Sequence, residues 1–264
     1  MRGVPTGRPR RTAVAPRGRA APHGAREDVR CAPRQGRPPR IGRMDVVIAG
    51  GHGKIALRLA RLLTARGDRV RSLFRNPAHA DDVRAAGAEP VVCDLERVGV
   101  AEVARHVDGA DAVVFAAGAG PGSGAARKDT VDRAASVLMA DAAERTGVRR
   151  FVQISSMGAG QPPRPGADEV WAAYVKAKGE AEDDLRARDL DWVILRPGRL
   201  TDDPGTGRVT LAEPPVGRAE VARDDVAAVI AALLDAPSVN RRTLELVGGD
   251  TPVAEAVAAL SSPL

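Results

Sequence analysis

The amino-acid sequence predicts an α/β fold, a doubly wound parallel sheet of the Rossmann type built as a single domain. From Met44 onward, short apolar segments alternate with longer stretches of helical periodicity, which is typical of βαβ units. A glycine-rich turn joins the first apolar segment directly to a helix, as in folds of this type. No interior stretch is rich enough in Pro and Gly to separate two folding units, so one domain is expected over residues 44–264.

The predicted strands and helices follow one another in a regular order. MDVVIAG is the first predicted strand, because it is a short apolar run that ends in glycine. KIALRLARLLTARG is the first predicted helix, with Ile55, Leu59, Leu62 and Leu63 on one face. The remaining predicted strands are RVRSLFR, EPVVCD, DAVVFAAG, RRFVQISS, DWVILRPG and TLELVGG, and the remaining predicted helices lie in AHADDVRAAG, VGVAEVARHV, residues 127–147, VWAAYVKAKGEAEDDLRARD, RDDVAAVIAALLDA and a short terminal segment.

Residues 1–43 differ in composition from the rest of the chain. They contain twelve Arg and only two acidic residues, a net charge of +10, which leaves −4 of the overall +6 for residues 44–264. This leader is rich in Arg, Pro and Gly and shows no apolar periodicity, so we expect it to be disordered. Since Met44 stands directly before the first strand, the leader is interpreted as an unstructured extension or a start-site artefact. A nucleic-acid arm and a targeting peptide are the open alternatives.

Cysteine content and hydropathy exclude several classes of protein. Cys31 and Cys93 are the only cysteines of the sequence, too few for a disulfide framework or a clustered thiolate metal site. No apolar run approaches the roughly 20 residues of a membrane helix. We expect a soluble, cytoplasmic protein that acts on a small molecule, with no nucleic-acid partner for the folded domain, no membrane partner and no metal.

The segment GGHGKIA, between the first strand and the first helix, predicts a dinucleotide site. A helix amino terminus presents unpaired N–H groups and a positive dipole end to a pyrophosphate, and glycines let the phosphates approach the backbone. The predicted binding residues are Gly50, Gly51, His52, Gly53, Lys54 and Ile55. A P-loop is excluded, because Ile48 stands in place of its first glycine and Ile55 in place of its Ser or Thr.

Arg75, at the end of the second strand, favours NADP over NAD as the cofactor. NAD-binding proteins of this fold usually place an Asp or Glu about 20 residues beyond the glycines to bind the ribose hydroxyls. Here FRNP occupies that place, and the Arg75 guanidinium could pair with a 2′-phosphate instead. A solvated arginine with no ligand is the alternative.

Together these motifs resemble the atypical branch of the short-chain dehydrogenase/reductase superfamily. The resemblance is to NAD(P)H-binding proteins related to flavin and biliverdin-IXβ reductases and to the NmrA-like group, and it extends from about Met44 to Thr251. It depends on GGHGKIA, FRNP, CDLE, FAAG, RRFVQISS, YVKAK and LRPG. The resemblance implies that Asp94 and Leu95 flank the adenine, that Ala116, Ala117 and Gly118 line the cofactor, and that Pro197 and Gly198 lie near the nicotinamide.

The stretch YVKAK holds the only tyrosine of the chain and two of its four lysines. Residues i and i+4 share a helix face, so Lys178 could stabilise a tyrosinate at Tyr174. In catalytic members of the family, such a pair joins a Ser or Thr at the end of the fifth strand, a place held here by Ser155 or Ser156. The resemblance therefore implies Tyr174 as acid/base, Lys178 as its partner and a ribose ligand, and one serine as the substrate-orienting group. The alternative for YVKAK is a solvated helix face.

Three functions follow from this sequence, and several other features are given structural roles. The first function is an NADP-dependent oxidoreductase that transfers hydride to a carbonyl or a similar acceptor. The alternatives are a non-catalytic NAD(P) sensor of the NmrA-like kind and a nucleotide-sugar epimerase or dehydratase. A hydrolase is not indicated, because no GxSxG elbow is present. We expect Trp171 and Trp192 to be packing residues, Asp224 and Asp225 to cap a helix, His79 and His106 to have no metal-ligand partner at a suitable spacing, and residues 161–169 to form a lid or a plain connector.

Overall fold

A central sheet of nine strands organises the computed structural model of the chain, within the part that the structure describes. That part comprises residues 3, 42–120, 122–162, 166 and 168–261. Nearly all of the leader, residues 1–43, lies outside the described residues, as do the central positions of the predicted loop 161–169. The interpretations of these two segments therefore stay predictions.

The strands confirm the predicted fold class. In chain order they are β1 (Asp45–Ala49), β2 (Arg69–Phe74), β3 (Glu89–Val92), β4 (Ala112–Phe115), β5 (Arg150–Ile154), β6 (Asp191–Pro197), β7 (Arg199–Thr201), β8 (Arg208–Ala212), β9 (Glu220–Ala222), β10 (Arg242–Gly248) and β11 (Thr251–Pro252). The sheet has the order β3-β2-β1-β4-β5-β6-β10-β8-β11, while β7 and β9 pair separately. The first seven strands in this order are parallel, and β8 runs antiparallel to both of its neighbours.

Helices cover both faces of this sheet. They are α1 (Lys54–Ala65), α2 (Ala80–Ala85), α3 (Val100–Val107), α4 (Ala125–Arg127), α5 (Ala135–Thr146), α6 (Glu169–Arg186), α7 (Arg223–Leu234) and α8 (Val253–Ser261). A 3₁₀ turn at Pro77–His79 precedes α2, and a π-helical segment at Lys128–Ala134 joins α4 to α5. Among the described residues, no helix has the length and apolar character needed to cross a membrane.

Strand β1 shows how the two faces are filled. Val46 and Ile48 pack in the apolar cluster formed with α1 and α7, whereas Val47 and Ala49 pack in the cluster formed with α3 and α5. All four side chains are fully buried, as expected for a parallel strand with helices on both sides. Burial on both faces thus fixes β1 in the middle of the domain.

Helix α1 follows its predicted apolar face with one exception. Ile55, Leu59 and Leu63 are buried at the spacing of successive turns, and each contributes roughly 1.5–3 kcal/mol on burial. Leu62 was expected on the same face but is 43% exposed. Leu62 precedes the buried Leu63 by one position, a rotation of about 100° around the helix, which turns its side chain away from the centre of the buried face.

The strand order places a crevice beside β1. The chain continues to one side of β1 through β2 and to the other side through β4, so loops diverge between the carboxyl ends of these two strands. Gly50 follows β1 and Ala116 follows β4, and the Ala116 N–H donates to the Ala49 carbonyl. This divergence positions the candidate site.

Candidate active site

The turn after β1 requires glycine at two positions. Gly50 has φ +75°, and a Cβ there would lie 2.6 Å from the Ala117 Cα atom. A Cβ at Gly51 would lie 2.4 Å from the Ser72 Cβ atom. Neighbouring atoms occupy the space that a side chain would need at either position, so only glycine fits there. Without side chains, the backbone of Gly50 and Gly51, which we call the glycine cradle, stays open to the crevice.

The amino terminus of α1 is open for an anion. Gly53 is the N-cap residue, no side chain caps the first turn, and this turn contains no acidic residue. The first N–H groups of a helix have no intrahelical acceptor and carry the positive end of its dipole. With the glycine cradle beside it, this terminus fits a pyrophosphate.

A cavity of about 290 Å³ extends from this turn along the ends of β2, β3 and β4. Nine of the predicted cofactor-binding residues line it: Gly50, His52, Gly53, Arg75, Asp94, Leu95, Ala116, Ala117 and Gly118. Its wall also includes residues that were not predicted to bind the cofactor, among them His79, Glu96 and Arg127. Tyr174, Lys178 and both candidate serines lie outside its lining.

Other predicted cofactor residues are engaged elsewhere. Lys54 pairs with Asp202, at 2.5 Å between Nζ and Oδ2. The Ile55 side chain packs in the core, which leaves its backbone N–H for a ligand. A Cβ at Gly198 would lie 2.1 Å from the Ala219 carbonyl oxygen, so this glycine is required by packing between β6 and the segment before β9.

Glu96 gathers the basic side chains at one wall of the cavity. Its carboxylate accepts from Arg75 at 3.2 Å, from Arg127 at 2.6 Å and from the Thr130 hydroxyl at 2.7 Å. The hydrogen bond from Arg127 is the largest influence holding the pKa of Glu96 below its ordinary value. Glu96 is therefore anionic at neutral pH and competes with any anionic ligand for Arg75.

Two histidines stack at the rim of the same cavity. The ring centroids of His52 and His79 are 3.6 Å apart, and His52 Nε2 lies 2.8 Å from Asp82 Oδ2. His52 was predicted to bind the cofactor, and its pairing with Asp82 is a contact that the sequence did not indicate. Asp82 belongs to α2, which is distant in sequence.

Tyr174 and Lys178 lie on successive turns of α6, as the i, i+4 spacing predicts. Lys178 Nζ lies 5.9 Å from the Tyr174 ring centroid and donates to the Ile154 carbonyl at 3.1 Å. It also pairs with Asp132 at 3.2 Å. Lys178 and Asp132 are both almost fully buried, while the Tyr174 hydroxyl has no hydrogen-bond partner among the described residues. The intervening Lys176 is exposed and pairs with Glu180.

Ser155 belongs to a buried ionic network. Its hydroxyl donates to Glu182 Oε1 at 2.5 Å, and Glu182, which is fully buried, also accepts from Arg186 and Arg196. Ser155 thus has a structural partner that the sequence did not indicate. Ser156, the other candidate, is only partly buried, and its one recorded bond is a long contact of 3.4 Å with the Met157 carbonyl.

One expectation for peripheral residues is wrong, and another holds in part. Trp192 is buried and packs in the core, whereas Trp171 packs its ring 5.4 Å from that of Tyr174 but is 47% exposed. Ala222, rather than an aspartate, is the N-cap of α7. Asp224 and Asp225 instead accept from the backbone N–H groups of residues 205–207, because the acidic first turn of α7 faces that loop.

His106, contrary to expectation, does have partners of the kind that bind metals. His106 and Glu102 are one turn apart on α3, and their ligand atoms and the Cys93 sulfur all lie within 4.8 Å of one another. Burial, followed by the charges of Glu102 and Asp94, raises the pKa of the Cys93 thiol to about 11. The i, i+4 spacing of Glu102 and His106 was the available signal in the sequence, but the approach of Cys93 depends on the tertiary fold.

Comparison with known proteins gives a consistent family assignment. Residues 50–237 match the family described as NAD(P)H-binding. "Uncharacterized sugar epimerase YhfK" of Bacillus subtilis is 35% identical over 81% of this chain and 99% of its own length. A Bacillus halodurans structure named "Putative NAD-dependent epimerase/dehydratase" is 34% identical with a TM-score of 0.76, over 82% of this chain and 99% of that chain. ChuY, described as an anaerobillin reductase from Escherichia coli O157:H7, is 26% identical with a TM-score of 0.66, over 78% and 98%.

Proposed function

The chain belongs to the NAD(P)H-binding family, and from that premise we propose that it is an NADP-dependent oxidoreductase that reduces a carbonyl or a similarly polarised group of a small molecule. The observation that carries the proposal is the Tyr174–Lys178 pair. A phenol hydroxyl without a partner among the described residues stands beside a buried ammonium, 5.9 Å from the ring centroid. A proton donor with a fixed cation nearby is what carbonyl reduction requires.

The cradle and the cavity support the binding of NADP. The pyrophosphate would lie at the open amino terminus of α1 against Gly50 and Gly51, whose missing side chains leave room for it. Asp94 and Leu95 would flank the adenine, and residues 116–118 would line the opposite wall. Arg75 would pair with the 2′-phosphate, for which it must leave Glu96. Glu96 would keep Arg127 and Thr130 as partners.

The proposed chemistry divides between the cofactor and the protein. Bound NADPH would supply the hydride for the carbonyl carbon. Tyr174 would donate its hydroxyl proton to the carbonyl oxygen, and the Lys178 ammonium would stabilise the tyrosinate left behind. The Ile154 carbonyl and Asp132 hold that ammonium in place. Ser156 is the proposed orienting hydroxyl, because Ser155 is engaged with Glu182.

A turnover panel with a matched pair of lysine variants tests this proposal. NADPH consumption is measured with aldehydes, quinones and flavins as acceptors. Lys178→Met should lower kcat by roughly 100-fold or more, within the range of a lost acid/base contribution. Lys176→Met, an exposed position on the same helix, should leave kcat unchanged. Tight NADPH binding with no consumption across the panel would contradict catalysis and favour the sensing function.

The cofactor preference has its own test. Arg75→Ala should weaken NADPH binding by roughly 10- to 100-fold, the value of a charge-assisted hydrogen bond. NADH affinity should change by less than about twofold, because NADH has no 2′-phosphate. Arg84→Ala on α2, where the arginine pairs with Asp81, is the control. Equal losses for both cofactors would contradict the assignment of Arg75.

An epimerase or dehydratase is the second candidate function, because two relatives at 34–35% identity bear such names. It would use the same Tyr174 and Lys178. The segment between β6 and α7 holds only three short strands, which is little for a sugar-nucleotide site. Conversion of a nucleotide sugar without net NADPH consumption would favour this function over the first.

A further inference from the structure

A second lysine lies beside Tyr174 on a different element. Lys128 is the first residue of the π-helical segment between α4 and α5, and only 8% of it is exposed. Its Nζ lies 5.3 Å from the Tyr174 ring centroid. π-Helical turns are rare and often occur at functional sites. Two buried lysines, Lys128 and Lys178, thus place their ammonium groups near the Tyr174 ring.

The two lysines differ in how their charges are balanced. Lys178 is paired with Asp132. Lys128 has one recorded acceptor, the Gly120 carbonyl at 2.9 Å, and within the described part of the chain no carboxylate lies within 4.0 Å of its ammonium. A buried ammonium without a counter-ion is costly, and Lys is rarely buried unless paired. Two of its three N–H donors also have no recorded acceptor among the described residues.

The position of Lys128 separates it from the cofactor cavity. Arg127, Val131 and Ala135 line that cavity and share one face of the helix. Lys128 and Asp132 belong to the adjacent face, which packs toward α6. The positive charge of Lys128 therefore stands beside the proposed proton donor and outside the lining of the cofactor cavity.

From these contacts we propose that Lys128 binds an anionic group of the substrate, and that the substrate is a carbonyl compound with a carboxylate or phosphate within a few bonds of the reducible carbon. The inference rests on the proposed function. Bound NADPH would supply a hydride, that is one proton with two electrons, to the carbonyl carbon; Tyr174 would protonate the oxygen, and a solvent proton would restore the phenol. The products are NADP⁺ and an alcohol that keeps its anionic group. Lys128 takes no proton in this step and acts on affinity and orientation.

The test compares charged and neutral forms of one substrate. A 2-oxo acid, its methyl ester and a phosphorylated ketone are assayed with wild type, Lys128→Met, Lys128→Arg and the exposed control Lys176→Met. Wild type should prefer an anionic form over the ester by roughly 10- to 100-fold in kcat/KM, the value of one charge-assisted contact. Lys128→Met should remove that preference, and Lys128→Arg should restore part of it. Whether wild type prefers the 2-oxo acid or the phosphorylated ketone shows whether the bound group is a carboxylate or a phosphate. NADPH affinity should be unchanged in all variants.

Two results would overturn the inference. An equal loss with acid and ester would show that Lys128 serves the tyrosine instead, and a matching loss of NADPH affinity would assign it to the cofactor. A binding measurement separates failure of the inference from failure of the proposed function. Calorimetry of oxalate and inorganic phosphate binding to the NADPH complex should show at least a roughly tenfold loss in Lys128→Met for one of them. That loss supports the anion site even in a protein that turns nothing over, and equal binding by both proteins contradicts it.

Discussion

Replacing Glu182 with glutamine should destabilise the protein far more than any other carboxylate change on α6. The Glu182 carboxylate is fully buried and accepts from Ser155, Arg186 and Arg196. A glutamine side chain at this position would lack the negative charge, and its NH₂ group would face guanidinium donors. Removing one partner of a buried ion pair costs about 3–5 kcal/mol, which corresponds to a fall in Tm of roughly 6–20 °C for a domain of this size.

Glu180, on the same helix, supplies the matched control. It is partly exposed and pairs with Lys176 and, at 3.8 Å, with Arg133, so Glu180→Gln should cost less than about 1 kcal/mol. Free energies of unfolding from urea titrations at about pH 7, with Tm values, give the comparison. Similar losses in the two variants would refute the argument that Glu182 is a structural anchor. Ser155 belongs to the same network, so Ser155→Ala should lower the free energy of unfolding and leave kcat largely unchanged. Ser156→Ala should lower kcat and leave the free energy of unfolding largely unchanged.

Three further predictions concern the cavity and its neighbours. Gly50→Ala should weaken NADPH binding at least tenfold, since its Cβ would meet the Ala117 backbone. The control Gly67→Ala, also at positive φ but in open space, should lower the free energy of unfolding by about 1 kcal/mol without changing the NADPH Kd. An NADPH Kd of Gly50→Ala equal to that of wild type would contradict the role of the glycine turn in binding. Glu96→Gln removes the charge that competes for Arg75 and should raise the preference for NADPH over NADH by about three- to fivefold, the value of an exposed ion pair. Protonation of Glu96 would have the same effect, but its pKa is lowered, so the preference of wild type should not rise in this way between about pH 8 and pH 6. Burial raises the pKa of Cys93 to about 11, so the thiol form is favoured on folding and native protein should resist iodoacetamide at pH 8, where about 0.1% is thiolate. The stability that the protonated Cys93 thiol contributes should be complete below the ordinary thiol pKa and should be lost as the pH rises toward about 11. Alkylation of Cys93 in the native protein at the rate found for the urea-unfolded chain would contradict the protection of this thiol.

Local sequence patterns were sufficient for the core of the fold and for the glycine turn between β1 and α1. Apolar runs and helical periodicity identified β1 to β6, β10 and the main helices, because each of these elements buries a face whose period is visible in the sequence. The glycine turn was predictable for the same reason, since its chemistry lies within one short run of consecutive residues. Four strands were missed, however. Strands β7, β9 and β11 have only two or three residues, too few to show a period, whereas the alternation of buried and exposed positions in the five residues of β8 was a signal that was not used.

The surroundings of Tyr174 depend on contacts between distant elements. The spacing of Tyr174 and Lys178 was readable as one helical turn. The partners Glu182 for Ser155 and Asp132 for Lys178 were not, because a buried carboxylate and an exposed one look alike in sequence. Lys128 was missed for a further reason: a π-helical segment shifts the phase of the helix, so the α-helical period does not indicate which face its residues occupy.

Tyr174→Phe is the variant that tests the central claim most directly, because it removes one hydroxyl and leaves the ring contacts with Trp171 and the two lysines in place. The measurement is NADPH affinity and kcat on the same preparation, with the best acceptor of the panel. Proton donation by Tyr174 predicts an NADPH Kd within about twofold of wild type and a kcat lower by roughly 10²- to 10⁴-fold. A kcat equal to that of wild type would contradict it.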